Sequence, residues 1–359
     1  MNIGFVVHDF DTREGHGRYA VELVRRLAKE HEVTVYAKSQ AAPLPEGARF
    51  RTVPAVARPA QATILSFPVA FAAVRTRHDV VHVQGWSAPS ADVATAHIVM
   101  AAWRSAVRNA GVAPGLGERL LGGVVESREA QFYRQRVKAI IAPSHRIRDD
   151  LATHYGRHDG ISVIPHGFPP AQAVDAAEAR YRFQLPEDGV VALYAGDARK
   201  GLDVVLKAVA QAPAVRLLVV SRSELEPYQA LAQHLGVAER VWWVNGLEDL
   251  TPAYAASDVL LHPTIYDAFG LVVAEAMAHG VVPILSRAAG VSEFVTDRES
   301  GWMVRPRHPE DSAAALQAFA KDAALRERMA RAAHAAAARR TWDDVARETL
   351  AVYEDVRRS

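Results

Sequence analysis

Short apolar segments rich in β-branched residues alternate with amphipathic helical segments, and this alternation occurs twice along the chain. In the first half, the predicted strands are Ile3–Val7, Glu32–Ala37, Asp79–Gln84, Ala139–Ala142 and Ile161–Ile164. The intervening segments include a predicted amphipathic helix over Tyr19–Lys29. Strands that alternate with helices predict βαβ units and a mostly parallel sheet.

A segment with few strand signals, Phe168–Glu187, separates the two halves and contains three prolines. The alternation then restarts. The predicted strands here are Val190–Ala195, Val215–Val220, Val241–Val244, Asp258–His262 and Val282–Leu285, and the predicted helices are Leu202–Ala210, Tyr228–Leu235 and Val272–His279. We therefore predict an α/β protein with two doubly wound domains in tandem.

The predicted domains are residues 1–167 and 168–340, and an alanine-rich helical segment over 311–340 closes the second. The last segment, 341–359, carries a predicted amphipathic helix over Trp342–Val356. Ligands of open parallel sheets bind beyond the carboxyl ends of the strands. We therefore expect the site in a cleft between the two domains.

The composition of the chain excludes several kinds of functional site and partner. The chain has 359 residues, 42 Lys and Arg against 41 Asp and Glu, and no cysteine. The lack of cysteine excludes disulfides, thiolate zinc sites and cysteine nucleophiles, and the small net charge argues against a nucleic-acid partner. The first residues show no signal-peptide pattern, and no apolar run is long enough for a membrane span. These features predict a cytoplasmic protein.

The segment Gly15-His-Gly17-Arg-Tyr-Ala20 has the glycine spacing of dinucleotide-binding loops. Seven residues separate it from the preceding strand, and Lys38 follows the next strand where an acidic residue would hold a ribose. NAD(P)-dependent oxidation therefore stays a lesser alternative. Whatever the ligand, a glycine-rich loop at the start of a helix offers backbone N–H groups to an anion or a sugar.

Asp9 and Asp11 form a D-x-D pair of the kind that holds a divalent cation in some nucleotide-sugar enzymes. A cation would need further oxygen ligands nearby, and the surrounding fold would have to be a single-domain one. We therefore expect no metal site.

Arg199 and Lys200 follow the first predicted strand of the second domain and precede a glycine and a helix. Two cations beside helix N–H groups at a strand end suit a diphosphate. A solvated turn is the alternative interpretation.

The most specific stretch runs from His262 to Pro283 and contains Asp267 and Glu275. Asp267 falls in the loop before a helix, where a carboxylate can accept hydrogen bonds from sugar hydroxyls. Glu275 falls within the helix, where it can hold a ribose diol. Phe269–Leu271 is expected to present N–H groups at the helix N-terminus.

This stretch resembles the Glu-x7-Glu signature of the retaining glycosyltransferases of family 4, with Asp267 in place of the first Glu. Other segments also resemble motifs of that family, and they are Gly15–Gly17, Thr95–His97, Ile141–Ser144, Val163–Gly167, Arg199–Gly201, Leu250–Asp258 and Trp342. The resemblance covers nearly the whole chain. Two features depart from the family's motifs. Asp267 is one methylene shorter than Glu, and Arg199 and Lys200 are adjacent, whereas the family often separates them.

The resemblance implies the GT-B fold: two Rossmann-like domains and a C-terminal helix that crosses back to the first. It implies retaining sugar transfer from a nucleotide-diphosphate donor, UDP- or GDP-linked, without a metal or other cofactor. The implied catalytic residues are His97 and Asp267. The implied donor-binding residues are Gly15, Gly17, Arg199, Lys200, Asp267, Phe269, Gly270, Leu271 and Glu275. A nucleotide-sugar epimerase of the same architecture, or a sugar-nucleotide binder without turnover, stays an alternative.

The acceptor is less clearly marked in the sequence. Residues 100–148 contain nine Arg and Lys but only three Glu, interleaved with leucine and valine. Such a stretch is typical of a contact with an anionic membrane or with a phosphorylated, lipid-linked acceptor. Solvated helix faces over a core are an equal alternative. A glycan, a lipid-linked molecule and a small molecule all remain candidate acceptors for an enzyme of polysaccharide or related biosynthesis.

Overall fold

The computed structural model describes residues 1–13, 15–56, 60–112 and 116–358. The chain forms two compact units. Unit 1 contains Met1–Gly167 and Thr341–Ser359, and unit 2 contains Phe168–Arg340.

The described part of unit 1 is built on a seven-stranded parallel sheet. Its strands lie in the order β5-β3-β1-β6-β7-β8-β9. The strands of unit 1 are β1 Asn2–Val6, β2 Asp9–Phe10, β3 Glu32–Ala37, β4 Ser39–Gln40, β5 Ala48–Thr52, β6 Val80–Gln84, β7 Ala91–Thr95, β8 Val137–Ala142 and β9 Ile161–Val163. The helices are α1 Gly15–Leu27, α2 Ala60–Val74, α3 Met100–Asn109, α4 Leu116–Gln135, α5 His145–Tyr155 and α13 Trp342–Arg358. The short strands β2 and β4 pair with each other outside the main sheet.

The predicted crossing helix is α13, which packs against α1, β7 and β8 of unit 1. Its buried residues include Trp342, Val345 and Tyr353, and its opposite face is charged. The apolar stripe of α13 is thereby buried against unit 1.

Unit 2 is built on a six-stranded parallel sheet with the order β12-β11-β10-β13-β14-β15. The strands are β10 Val190–Ala195, β11 Val215–Ser221, β12 Val241–Asn245, β13 Val259–His262, β14 Val282–Ser286 and β15 Trp302–Val304. The helices are α6 Ala176–Arg182, α7 Leu202–Ala210, α8 Glu226–His234, α9 Thr251–Ala255, α10 Leu271–Ala278, α11 Pro309–Lys321 and α12 Ala323–Ala337.

The central strand β10 is buried on both faces. Ala192 and Tyr194 point into one apolar layer, and Val191 and Leu193 point into the other. A strand that is covered on both faces has a continuous run of apolar residues in its sequence. The bounds of such a strand can therefore be predicted from the sequence.

Several elements differ from the sequence-based prediction. Helix α1 begins at Gly15 rather than at Tyr19, so the glycine segment forms its first turn rather than a preceding loop. The predicted helical segment over 311–340 is two helices, because Asp322 ends α11 and its side chain caps α12 by accepting from the N–H of Leu325. The sequence pattern does not predict β2, β4, β5, β7, β15, α2, α3, α4, α6 or α9.

Candidate functional site

In unit 2, the segment after β10 forms a short 3-10 turn over Ala198–Lys200 that leads into α7. The Asp197 side chain caps this turn by accepting from the N–H of Arg199. The Arg199 guanidinium folds back onto Asp197, with Nη2 2.6 Å from Oδ2, and its side chain is 69% exposed. Arg199 and Lys200 are therefore adjacent in sequence but engage different carboxylates.

Lys200 reaches the loop before α10. Its Nζ lies 2.7 Å from Oδ2 of Asp267, and Nε2 of His262 lies 3.2 Å from the same oxygen. Burial raises the pKa of Asp267, but the charge of Lys200 and the hydrogen bond from His262 outweigh it, so that pKa lies below its ordinary value. Asp267 is therefore a charged group at the carboxyl end of the sheet.

The N-terminus of α10 lies directly after this carboxylate. Gly270 has φ +97°, a left-handed conformation that side chains rarely adopt, and a Cβ there would lie 3.3 Å from Cγ1 of Val291. The Phe269 carbonyl accepts from the N–H of Val291 at 2.7 Å, and this bond fixes the loop. Leu271 begins the helix, whose first N–H groups have no partner within the helix and attract negative charge.

Glu275 lies on the second turn of α10 and is 5% exposed. Its Oε2 accepts a hydrogen bond from the Tyr254 hydroxyl at 2.7 Å. The Tyr254 ring in turn stacks on His279 with 5.2 Å between ring centroids. Glu275 is thus held by a side chain from α9 rather than extended into solvent.

The structure brings Lys200, Asp267 and Gly270 together at one end of the unit 2 sheet. His262 belongs to this arrangement and Tyr254 binds Glu275, although the sequence predicts a role for neither. The position of His262 at the end of a buried strand could have indicated it. The Tyr254–Glu275 bond joins residues 21 positions apart, and no local pattern indicates it.

In unit 1, Gly17 lies in the first turn of α1. A Cβ at this position would lie 2.5 Å from the carbonyl oxygen of Asp11, so only glycine allows the helix to start this close to the preceding loop. The D-x-D carboxylates bind protein groups: Ser39 and Lys38 contact Asp9, and Arg13 contacts Asp11. Within the described ranges, no three His, Asp or Glu side chains are grouped as metal ligands.

His97 follows β7 and is half-buried. Its Nε2 lies 2.8 Å from Oε1 of Gln84. The Tyr19 ring meets it edge-on at 5.0 Å, and the His166 ring lies at 5.6 Å. Burial, His166 and other nearby histidines lower the pKa of His97 well below its ordinary value, so the ring is neutral at pH 7.

The basic stretch 100–148 contains α3, α4, β8 and the start of α5, and its residues 113–115 lie outside the described part of the chain. On α4, Leu120 and Val124 are exposed, and Arg104 of α3 pairs with Glu126. Among the helices of the described ranges, none is both long enough and apolar enough to cross a bilayer.

Known proteins resemble this chain in both sequence and structure. The family described as "Glycosyltransferase Family 4" matches residues 13–172, and the family described as "Glycosyl transferases group 1" matches residues 175–336. A D-inositol 3-phosphate glycosyltransferase of Xylanimonas cellulosilytica is 32% identical over 303 residues, which cover 77% of this chain and 72% of that protein. The protein of the same name from Nocardiopsis dassonvillei is 31% identical over 94% of this chain and 89% of its own length.

Two solved structures show the fold. WaaG, a glycosyltransferase involved in lipopolysaccharide biosynthesis, has a TM-score of 0.82 at 21% identity and covers 97% of this chain and 98% of its own. Anabaena Alr3699/HepE, solved in complex with UDP and glucose, has a TM-score of 0.78 at 17% identity and covers 99% of each chain. These relatives favour neither the epimerase nor the oxidoreductase interpretation. The chain is therefore an enzyme of glycosyltransferase family 4 with the GT-B fold.

Proposed function

We propose that this enzyme transfers a sugar from a nucleoside-diphosphate donor to a hydroxylated acceptor, with retention of the anomeric configuration and without a metal ion. The arrangement of Lys200, Asp267 and His262 at the carboxyl end of the unit 2 sheet carries this proposal. The Alr3699/HepE complex with UDP and glucose supports the same donor class.

The main chemical demand is the charge of the departing diphosphate. When the bond between the anomeric carbon and the phosphate oxygen breaks, negative charge develops on the phosphate. An ammonium group has three N–H donors, and Lys200 directs one of them at Asp267. Its remaining donors and the N-terminus of α10 can stabilise the charge in place of a metal ion.

The acceptor hydroxyl forms its new bond to the anomeric carbon on the face that the diphosphate leaves. The departing phosphate oxygen takes the proton of that hydroxyl, so the products are the glycoside and the nucleoside diphosphate. No covalent intermediate on a carboxylate is needed in this front-face route. It therefore gives retention without the pair of carboxylates that double displacement uses.

The same proposal assigns a role to each of the other predicted site residues. Glu275 holds the ribose, Asp267 and the Phe269–Leu271 segment hold the donor sugar, and His97 contacts the donor sugar during transfer. Gly15 and Gly17, at the start of α1, offer backbone N–H groups to the diphosphate. Arg199 supports the diphosphate site indirectly through Asp197, because its guanidinium already binds that carboxylate.

The relatives' name directs the choice of the first acceptor to test. Both proteins compared above are called D-inositol 3-phosphate glycosyltransferases. We therefore propose a small, phosphorylated polyol as the first candidate, ahead of glycans and lipid-linked acceptors.

The test combines UDP- and GDP-linked sugars with this polyol phosphate in the presence of EDTA. We expect release of the nucleoside diphosphate and, by NMR, a product that keeps the donor's anomeric configuration. Lys207→Ala, which removes an exposed lysine from α7, serves as the control for Lys200→Ala and should leave turnover unchanged. An inverted product contradicts the retaining route, and activity that returns only with Mn²⁺ or Mg²⁺ contradicts metal independence.

We also propose that the exposed face of α4 contacts an anionic membrane. Leu120 and Val124 are exposed there, and Arg119 and Arg128 are exposed on the same helix. Co-sedimentation with vesicles containing phosphatidylglycerol should fall when Leu120 is changed to Ser, and pure phosphatidylcholine vesicles should not bind. Equal sedimentation of the two proteins contradicts this contact.

A further inference from the structure

Two side chains on one face of β6 bond to residues at and just after the end of β7. His82 and Gln84 are two positions apart, so they point to the same side of the sheet. Nε2 of His82 lies 2.8 Å from Oγ1 of Thr95, and Oε1 of Gln84 lies 2.8 Å from Nε2 of His97. The two bonds form consecutive polar rungs, the first between β6 and β7 and the second between β6 and the chain just after β7.

The first rung is part of a longer buried chain of hydrogen bonds. The Tyr353 hydroxyl of α13 lies 2.6 Å from Nδ1 of His82, and the Thr95 hydroxyl donates to the Tyr19 hydroxyl oxygen at 3.1 Å. All four side chains are fully buried. Buried side chains that bond to one another hold one arrangement. The packing next to Gln84 on β6 is therefore rigid.

The second rung determines where the ring proton of His97 lies. A carboxamide oxygen only accepts hydrogen bonds, so Nε2 of His97 must carry the hydrogen that Oε1 of Gln84 receives. A neutral imidazole has a single ring hydrogen. Nδ1 of His97 is therefore left as a hydrogen-bond acceptor.

The amide nitrogen of Gln84 has no such partner. Gln84 is 3% exposed, and its Nε2 makes no hydrogen bond to any residue that the structure describes. A buried donor without a partner is unfavourable, and such groups are rare in folded proteins. A donor left in this state beside His97 indicates a partner that binds there.

We propose that Gln84 is a positioning residue that keeps the ring proton of His97 on Nε2, and that its own amide Nε2 donates to a substrate oxygen bound beside His97. The substrate oxygen is a hydroxyl of the donor sugar or of the acceptor. The second half of this proposal rests on the proposed function, whereas the first half concerns the protein alone.

The ring proton can be located without any turnover. Multiple-bond ¹⁵N–¹H NMR distinguishes the two neutral tautomers of histidine, and the His97→Asn variant assigns the signal. We expect His97 to be the Nε2–H tautomer in the unmodified enzyme and to lose this preference in Gln84→Met. An Nδ1–H tautomer in the unmodified enzyme, or an unchanged signal in Gln84→Met, overturns the positioning role.

Kinetics then test the substrate contact. Gln84→Glu keeps an oxygen acceptor for His97 but removes the N–H donor, so we expect the ring signal to keep the Nε2–H form while KM rises about tenfold for one substrate. A rise for the donor assigns the contact to the donor sugar, and a rise for the acceptor assigns it to the acceptor. Gln233→Glu, which changes an exposed glutamine of α8, is the control for the added charge. Unchanged KM values for both substrates overturn the contact.

The readouts separate the possible failures. If no sugar donor is turned over, the proposed function fails, but the NMR signal of His97 still decides the positioning role. If Gln84→Met does not fold, as its melting temperature will show, Gln84→Asn replaces it, because the shorter side chain withdraws the amide from His97. Retention of the pure Nε2–H tautomer in Gln84→Asn likewise overturns the positioning role.

Discussion

Replacing Glu129 by Gln should change how the stability of unit 1 depends on pH. Glu129 lies on α4 and is 4% exposed. Its Oε2 accepts from the Tyr155 hydroxyl at 2.5 Å and from the N–H of Met100, the first residue of α3, at 2.8 Å. The carboxyl therefore joins three helices and fixes the start of the helix that follows His97.

The size of the effect follows from the pKa of this carboxyl. Burial raises the pKa of Glu129 from 4.5 to about 7, and Glu126 adds to the rise, although the two hydrogen bonds oppose it. A carboxyl with a raised pKa in the folded state gives its full stabilisation only below the unfolded pKa and loses it as pH rises through the folded pKa. At about 1.4 kcal/mol per pKa unit, the loss between pH 4.5 and 7 is on the order of 3 kcal/mol.

Glu129→Gln keeps the shape and the acceptor oxygen but cannot ionise. The free energy of unfolding of unit 1 should therefore fall by about 3 kcal/mol more in the unmodified enzyme than in the variant when pH rises from 4.5 to 8. Unfolding in urea can be monitored by hydrogen exchange and mass spectrometry on peptides of α3–α5. These peptides report the unfolding of unit 1 separately from that of unit 2. A difference between the two proteins that does not change with pH would refute the reasoning.

Four further substitutions test unit 2. Lys200→Ala should lower turnover by about 10²–10³, the scale for losing one donor that stabilises charge. Arg199→Ala should lower turnover less than tenfold, because Arg199 binds Asp197. Steady-state release of the nucleoside diphosphate measures both effects. Gly270→Ala should destabilise unit 2 by about 1–2 kcal/mol because of the left-handed backbone, and thermal unfolding checks this. Tyr254→Phe removes a bond to Glu275 worth about 1 kcal/mol, so calorimetry should show nucleoside diphosphate binding weakened about fivefold.

The sequence predicted the buried strands well because their signal is local. The bounds of β10 and α7 agree with the prediction at both ends, since a fully covered strand is a continuous apolar run and an amphipathic helix repeats its apolar positions. The helix α2 was missed because it contains Pro68, and proline inside a helix is normally unfavourable. The start of α1 was placed too late because glycine is a poor helix former, although the first turn tolerates it.

Much of the candidate site came from motif resemblance, but its contacts did not. Lys200 and Asp267 were both named from sequence, yet their ion pair joins residues 67 positions apart. The adjacency of Arg199 and Lys200 predicts one shared anion site, whereas each side chain binds its own carboxylate. The sequence predicts Gln84 only as the last residue of a strand. Its bond to His97 depends on the parallel pairing of β6 with β7, which no local pattern indicates.

The central claim, that unit 2 holds a nucleoside-diphosphate sugar through these side chains, is tested most directly by calorimetric titration in EDTA. UDP or GDP should bind the unmodified enzyme. Glu275→Gln should weaken binding of both the bare diphosphate and the full donor, by roughly tenfold or more if a charged hydrogen bond worth about 1.5–3 kcal/mol is lost. Asp267→Asn should retain the bare diphosphate, since it leaves Lys200 without its carboxylate partner, but should lose affinity for the donor. If neither diphosphate binds, or if Asp267→Asn loses the bare diphosphate as strongly as Glu275→Gln does, the account of this site is contradicted.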